Sequence, residues 1–217
     1  MTISVKPLAL AGPLLLLAAC AAKPEKPAEA AAPPPAAAQA NKGDPEKRFA
    51  DALALVKAHK SGDAQAALAA LAVDFPQFSG PLCELGVLYA QGRRRDEAIA
   101  SFSKAVAAKP DNAFAYGWLG ILYRENGAYA RAEQSYLKAI SINADDAPAH
   151  LNLAILYDAY LHRPQDAVKQ YREYQRIAGT DRAIVTAWIN ELQEPAASRP
   201  AAAAPTPGGA APVEQKQ

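Results

Sequence analysis

The chain has 217 residues, 51% of them hydrophobic, 7% aromatic and 21% charged, with a formal net charge of +1. That balance offers no field for a nucleic acid or another polyanion, and two cysteines with three histidines leave little material for a metal cluster or a disulfide framework. The length allows one or two ordinary domains, but alanine runs at both ends take up much of the apolar count.

The N-terminus reads as a targeting segment. Lys6 precedes an unbroken run of apolar and small residues from Leu8 to Ala19. Its 12 residues are too few to span a bilayer core, which takes about 20, and they suit the hydrophobic region of a signal peptide. The run ends in Leu17-Ala18-Ala19-Cys20, which resembles the bacterial lipobox: a leucine and two small residues that a peptidase can grip, then a cysteine whose thiol takes the lipid. The resemblance implies a lipoprotein signal peptide at 1–19 and an acylated, palmitate-bearing Cys20 as the first mature residue. Several acyl chains on one residue make a stable anchor in a lipid membrane. Ala21, not Asp, comes next; in lipoproteins of enteric-type bacteria this implies the outer membrane, with the chain facing the periplasm. An ordinary signal peptide with an incidental cysteine, or a short buried helix, is the plainer alternative.

Residues 20–44 continue as alanine and proline with scattered Lys, Glu and Gln, including Pro33-Pro34-Pro35. With no aromatic or β-branched residue this stretch has nothing to build a core from. Proline stiffens it towards polyproline II, so its two dozen residues reach roughly 75 Å when fully extended. It is expected to be a disordered tether. Residues 195–217, with Pro200, Pro205, Pro207 and Gly208-Gly209, have the same character and are expected to be a disordered tail.

Residues 45–194 repeat with a period of 34. Leu85, Leu119 and Leu153 are in phase, as are Tyr89, Tyr123 and Tyr157, and Gly86, Gly120 and Ala154. Ala98 and Ala132, Phe102 and Tyr136, and Ala105 and Ala139 form a second phased set. In the last unit an extra residue near Arg163-Pro164 shifts the pattern to Ala167 and Tyr171. Within a unit the spacing is helical: one face carries Leu85, Gly86 and Tyr89, another Ala98, Phe102 and Ala105. Gly92, or Asn126-Gly127, is expected to break the first helix from the second. Small residues let the paired helices approach, large ones fill the space beside them, and no single hairpin covers its own apolar face, so the units must stack.

Leu-Gly-Val-Leu-Tyr at 85–89, Asp-Glu-Ala-Ile at 96–99, Phe102, Ala105 and Pro110 resemble the tetratricopeptide repeat, as do Trp118-Leu119-Gly120-Ile121-Leu122-Tyr123, Ala132, Tyr136 and Ala139. The resemblance implies an all-α fold: a right-handed superhelix of stacked helical hairpins, about four repeats. The first unit departs from the pattern, its second helix reaching Pro76 about three residues early, and is taken as a degenerate repeat. Beyond the fourth, Ile184, Val185, Trp188, Ile189 and Leu192 form an amphipathic stripe in Thr180 to Leu192. This is expected to be a C-terminal capping helix, with a partner contact at Trp188 as the alternative reading.

No catalytic, metal or cofactor residue is expected. His59, His150 and His162 lie in different repeats at no ligand spacing, Cys83 is a lone thiol with no base in its unit, and no glycine-rich phosphate loop is present. Arg93-Arg94-Arg95 runs straight into Asp96-Glu97, which nearly cancels it.

In the family the chain resembles, the first helix of each unit lines a concave groove. The matching positions here include Cys83, Val87, Ala90 and Gln91, then Phe114, Gly117, Ile121, Arg124 and Glu125, then Leu151, Asn152, Ile155 and Asp158. Some of these are also placed to contact only the neighbouring helix. A mostly apolar groove with sparse polar groups suits a protein or peptide ligand, and no nucleic acid. Relatives that clamp a terminal carboxylate use several Lys, Arg and Asn on this face; Cys83, Val87, Gly117 and Ile121 stand at the matching places, with Asn152 alone similar to that set, so a carboxylate clamp is not expected. Asn152 is expected to fix a backbone group of the bound segment. The whole reads as a membrane-anchored scaffold or adaptor in the periplasm that serves an envelope machine. A pilotin-like assembly factor for a secretin or pilus, and a regulator of a cell-wall enzyme, are the alternatives.

Overall fold

The computed structural model describes residues 42–179 and 182–194; the signal-like segment, Cys20, most of the Ala/Pro tether and the tail from 195 lie outside the described residues. Among the described residues the chain is entirely helical. Four hairpins follow one another: α1 (Pro45–Lys57) with α2 (Ser61–Asp74), α3 (Ser79–Gln91) with α4 (Arg95–Ala108), α5 (Ala113–Glu125) with α6 (Tyr129–Ile142), and α7 (Ala147–Ile155), continued by a π-turn (Leu156–Tyr160), with α8 (Pro164–Ala178). A final helix, α9 (Ala183–Gln193), lies on α8. None of the described helices is long and apolar enough to cross a membrane.

The helix starts are set by local chemistry repeated once per unit. Asp44, Asn112 and Asp146 each turn a side-chain oxygen onto a backbone N–H of the first turn, at Glu46, Ala115 and Ala149, which satisfies a donor that the helix itself leaves open. Pro45 and Pro148 occupy first-turn positions where a missing N–H costs nothing. At the matching place before α3 stands Phe78, which has no capping oxygen. Its ring meets Phe49 edge-on at 5.2 Å instead, so an apolar contact fixes this entry.

The first unit is regular in backbone. Its second helix, α2, is as long as α4 and α6 and ends at Asp74, one period before Ala108. The expectation that Pro76 cuts it short is therefore corrected: Pro76 lies past the helix end, as Pro110 does one period later. The unit is degenerate in its side chains and not in its geometry.

Two further expectations shift by a residue or a few. The turn inside each hairpin needs one residue in the left-handed region, and His59, Arg93, Gly127 and His162 take it, with φ of 56°, 58°, 72° and 51°. Gly92 is not that residue; its φ is −77°. Only the third unit uses the amino acid for which this conformation is free of strain. The extra residue of the fourth unit is likewise not in the turn at Arg163-Pro164. The bond from Ala128 N to Tyr123 O has its counterpart in Arg163 N to Tyr157 O, one residue longer, and Leu161 N reaches back five residues to Leu156 O at 3.0 Å. The insertion is absorbed as a π-turn at the end of the unit's first helix, a common way to hold one surplus residue.

Inside each hairpin a small residue lies under a large one. Phe102, Tyr136 and Tyr171 are fully buried, and a Cβ placed on Gly86 or Gly120 would fall 2.6 or 2.4 Å from the ring above it. In the end units alanine replaces glycine: Ala52 stands one period before Gly86 and Ala154 one after Gly120, and both are buried. The phased tyrosines are sealed by guanidinium groups, Arg94 over Tyr89 and Arg131 over Tyr123 at 4.5 Å and Arg163 over Tyr157 at 4.3 Å. Successive helices pack in chain order, and of the first helices α5 also meets α7. On α9, Val185 and Ile189 are buried and the Trp188 ring lies 5.5 Å from that of Tyr171. One member of the expected stripe departs from it: Ile184 is 58% exposed.

Candidate functional site

The expected groove residues lie on the first helices α3 and α5 and on α7 with its π-turn. On α5 they recur at three- and four-residue spacing, from Phe114 through Gly117 and Ile121 to Arg124 and Glu125, and so share one stripe of the helix. Val87, Phe114, Ile121, Leu151, Asn152 and Asp158 are half-buried, Gln91 and Glu125 are exposed, and Ile155 is buried in the core of the last unit. Gly117, in the middle of the α5 stripe, faces open space: a Cβ there would meet nothing within 4 Å.

Several of these side chains are already engaged. Phe114 contacts the rings of Phe102 and Trp118 edge-on at 6.3 and 6.4 Å, and Trp118 stacks on Phe102 at 5.6 Å. An aromatic shelf therefore connects the stripe to the core of the second unit. Glu125 pairs with Arg95 at 3.0 Å. The Asn152 amide donates to the carbonyl of Pro148 at 2.9 Å, within its own helix. The hydroxyl of Tyr171 donates to Asp158 at 3.3 Å.

Arg124 is the exception. It is only 8% exposed, and its guanidinium lies over the ring of Tyr160, 5.9 Å from the centroid. Among the described residues it makes no ion pair and no hydrogen bond. Tyr136, on α6, has a buried hydroxyl that also lacks a partner among the described residues. Burial holds this phenol far above its ordinary ionisation range, and Arg124 is the strongest of the charges acting against that. The sequence places Arg124 on the stripe and Tyr136 among the phased large residues, and gives no place to Tyr160. A signal was present: Phe102 becomes Tyr136 one period on, and the added hydroxyl needs a reason.

The groups weighed for catalysis have structural roles. Cys83 is buried, and Asn112, which caps α5, donates to its sulfur at 3.3 Å. Burial pushes the thiol up to about 11, so it holds its proton near neutral pH and lacks the thiolate a nucleophile needs. The buried ring of His150 has both nitrogens within hydrogen-bond reach of fixed partners, Gln170 Oε1 at 2.7 Å and the Ala144 carbonyl at 3.1 Å. His59 and His162 are exposed turn residues. Among the described residues no three His, Cys, Asp or Glu side chains gather as a metal site.

Comparison with known proteins agrees with this geometry. The tetratricopeptide repeat family matches residues 49–113 and, overlapping, 83–150. No similar sequence was found among curated proteins. Among solved structures, MamA is 20% identical with a TM-score of 0.61, covering 68% of this chain and 80% of its own. PilF of Pseudomonas aeruginosa is 17% identical with a TM-score of 0.60, covering 68% and 67%. YrrB, a tetratricopeptide-repeat protein with an unusual peptide-binding site, is 18% identical with a TM-score of 0.60, covering 72% and 79%. At these identities the likeness is one of fold. The match to the tetratricopeptide repeat family spans residues 49–150, and the described residues fold as a right-handed superhelix of stacked helical hairpins closed by a C-terminal helix.

Proposed function

We propose that the protein is a scaffold that holds a segment of a protein partner in the groove lined by α3, α5 and α7. The observation that carries this reading is the α5 stripe. A half-buried aromatic at Phe114, a glycine facing open space at Gly117 and a half-buried Ile121 lead to the unpaired Arg124. Apolar surface with one fixed polar end suits an extended or helical peptide. Its fold is that of YrrB, in which a peptide-binding site is known.

The chain is further proposed to be a lipoprotein, anchored to the outer membrane through acylated Cys20 and facing the periplasm, where it serves an envelope machine. The lipobox-like Leu17-Ala18-Ala19-Cys20 and the proline-rich stretch behind it support this reading. Two experiments test the two halves. A photo-crosslinking residue in place of Val87 or Ile121 should capture a reproducible partner from the intact envelope, and the same probe at the exposed Lys104 of α4 should not. Failure to capture any reproducible partner rejects the groove. Cys20→Ser should leave an uncleaved or soluble protein; unchanged membrane fractionation rejects the anchor.

A further inference from the structure

We infer that the open place at Gly117, with the carboxylate of Asp146, binds a basic side chain of the partner. The inference rests on the groove reading and names the side chain that the groove takes between α5 and α7.

Asn112 and Asp146 stand one period apart and cap their helices alike, each accepting from the backbone N–H three residues on, Ala115 or Ala149, at 3.0 Å. Asn112 has a second task. Its amide donates to Cys83 Sγ at 3.3 Å and to Ser79 Oγ at 3.4 Å, across the joint between the second and third units. One period on, both sides of that joint have changed. Ala113 and Gly117 replace Ser79 and Cys83, and Asp146 brings an acceptor where Asn112 brought a donor. The volume that the thiol fills at Cys83 is empty at Gly117, where a Cβ would meet nothing within 4 Å.

The Asp146 carboxylate is only 9% exposed, and among the described residues its one hydrogen bond is the cap to Ala149. A carboxylate withdrawn from water gains most from a cation, because a neutral donor leaves its charge unmatched. The cations nearby are committed. Arg176 pairs with Asp145 at 3.4 Å and Glu173 at 2.8 Å. His150, whose charge acts on Asp146, has its two nitrogens against Gln170 Oε1 and the Ala144 carbonyl. The second carboxylate oxygen is not among the buried atoms without a partner, so it keeps the opening to solvent that a ligand needs. The half-buried Phe114, one turn before Gly117 on the α5 stripe, supplies apolar surface for the methylene stem of a lysine or arginine.

The test is a titration of the full chain, labelled for magnetic resonance, with Nα-acetyl-lysine amide as probe and its ε-acetylated, neutral form as control. The lysine probe should shift the Gly117 N–H signal saturably, and the control should not. Asp146→Asn keeps a capping residue, as Asn112 shows one period earlier, and should weaken the response at least about tenfold. An equal response to both probes, no saturable shift, or a response unaltered in Asp146→Asn overturns the site and leaves Asp146 a solvated cap only. Should that variant not fold, Gly117→Cys, which refills the gap as Cys83 does, takes its place: weaker binding supports the site and unchanged binding overturns it. A second arm separates this inference from the groove reading. Peptides selected on the full chain from a random library should share a fixed lysine or arginine and lose at least about tenfold on Asp146→Asn. Selected peptides that bind at Val87 and Ile121 but ignore Asp146 overturn the basic-residue site and leave the groove standing. A saturable, Asp146-dependent response to the lysine probe with no selected peptide supports the site and counts against the groove.

Discussion

Gly117 and Gly120 lie three residues apart on α5, and the structure asks opposite things of them. A Cβ on Gly120 would fall 2.4 Å from the Tyr136 ring, a separation that real atoms do not tolerate, while one on Gly117 would meet nothing within 4 Å. The first glycine exists because two helices touch there. The second stands where α5 meets no neighbour. One face of the helix is thus closed and load-carrying and the adjacent face is open, and the boundary between them runs through Arg124, buried like the first and unpaired among the described residues as a binding group would be.

The contrast is open to experiment. The largest effect is expected at the closed face, where Gly120→Ala should lose about 2–3 kcal/mol in urea unfolding. The ring it strikes is enclosed on every side, so this outweighs the gain of about 1 kcal/mol that alanine brings to a helix interior. A neutral result would mean that α5 and α6 slide apart freely.

Cys83 probes the closed face of the preceding unit through pH. Burial raises the folded thiol from its ordinary 9.0 to about 11, so the unfolded chain gives up its proton first as pH rises. The stability this provides is complete below pH 9 and is lost as pH climbs through 11, by up to about 3 kcal/mol. Cys83→Ala should remove that alkaline slope in melts between pH 8 and pH 11.

Effects near 1 kcal/mol are expected where backbone conformation, and not contact, sets the balance. Arg93→Gly should raise stability by about 1 kcal/mol, because Arg93 is held at a φ of 58° in an exposed turn. No gain would show that the arginine's own contacts offset its strain. Gly117→Ala should raise stability by about 0.5–1 kcal/mol, the ordinary helix gain with no overlap to offset it. A loss there comparable with that of Gly120→Ala would erase the difference between the two faces.

Much of this was legible without coordinates. The size pattern of Gly86, Phe102, Gly120 and Tyr136 announced close helix pairs because a side chain that must fit under a ring has to be small wherever the unit recurs. The misreadings share another origin. Proline ends helices, so Pro76 reads as an early stop, yet it stands one period before Pro110. Gly92 was expected in the left-handed turn because glycine is the residue that suits it, and the backbone placed Arg93 there. The surplus residue of the fourth unit was assigned to the turn, where insertions are usually cheap, and the chain took it up as a π-turn inside the helix. In each case a local preference was weaker than the demand that the hairpins stay in register.

The sequence by itself determined the period, the pairing of helices and the stacking of units, because these follow from side-chain volume and apolar spacing along the chain. Tertiary structure alone decided which polar groups went without partners. That Arg124 has no ion pair and the Tyr136 hydroxyl no hydrogen bond among the described residues depends on where neighbouring groups turn, and Glu125 and Glu133 turn to arginines 30 positions away. Charge compensation is a property of distances in space, and a repeat pattern carries no record of it.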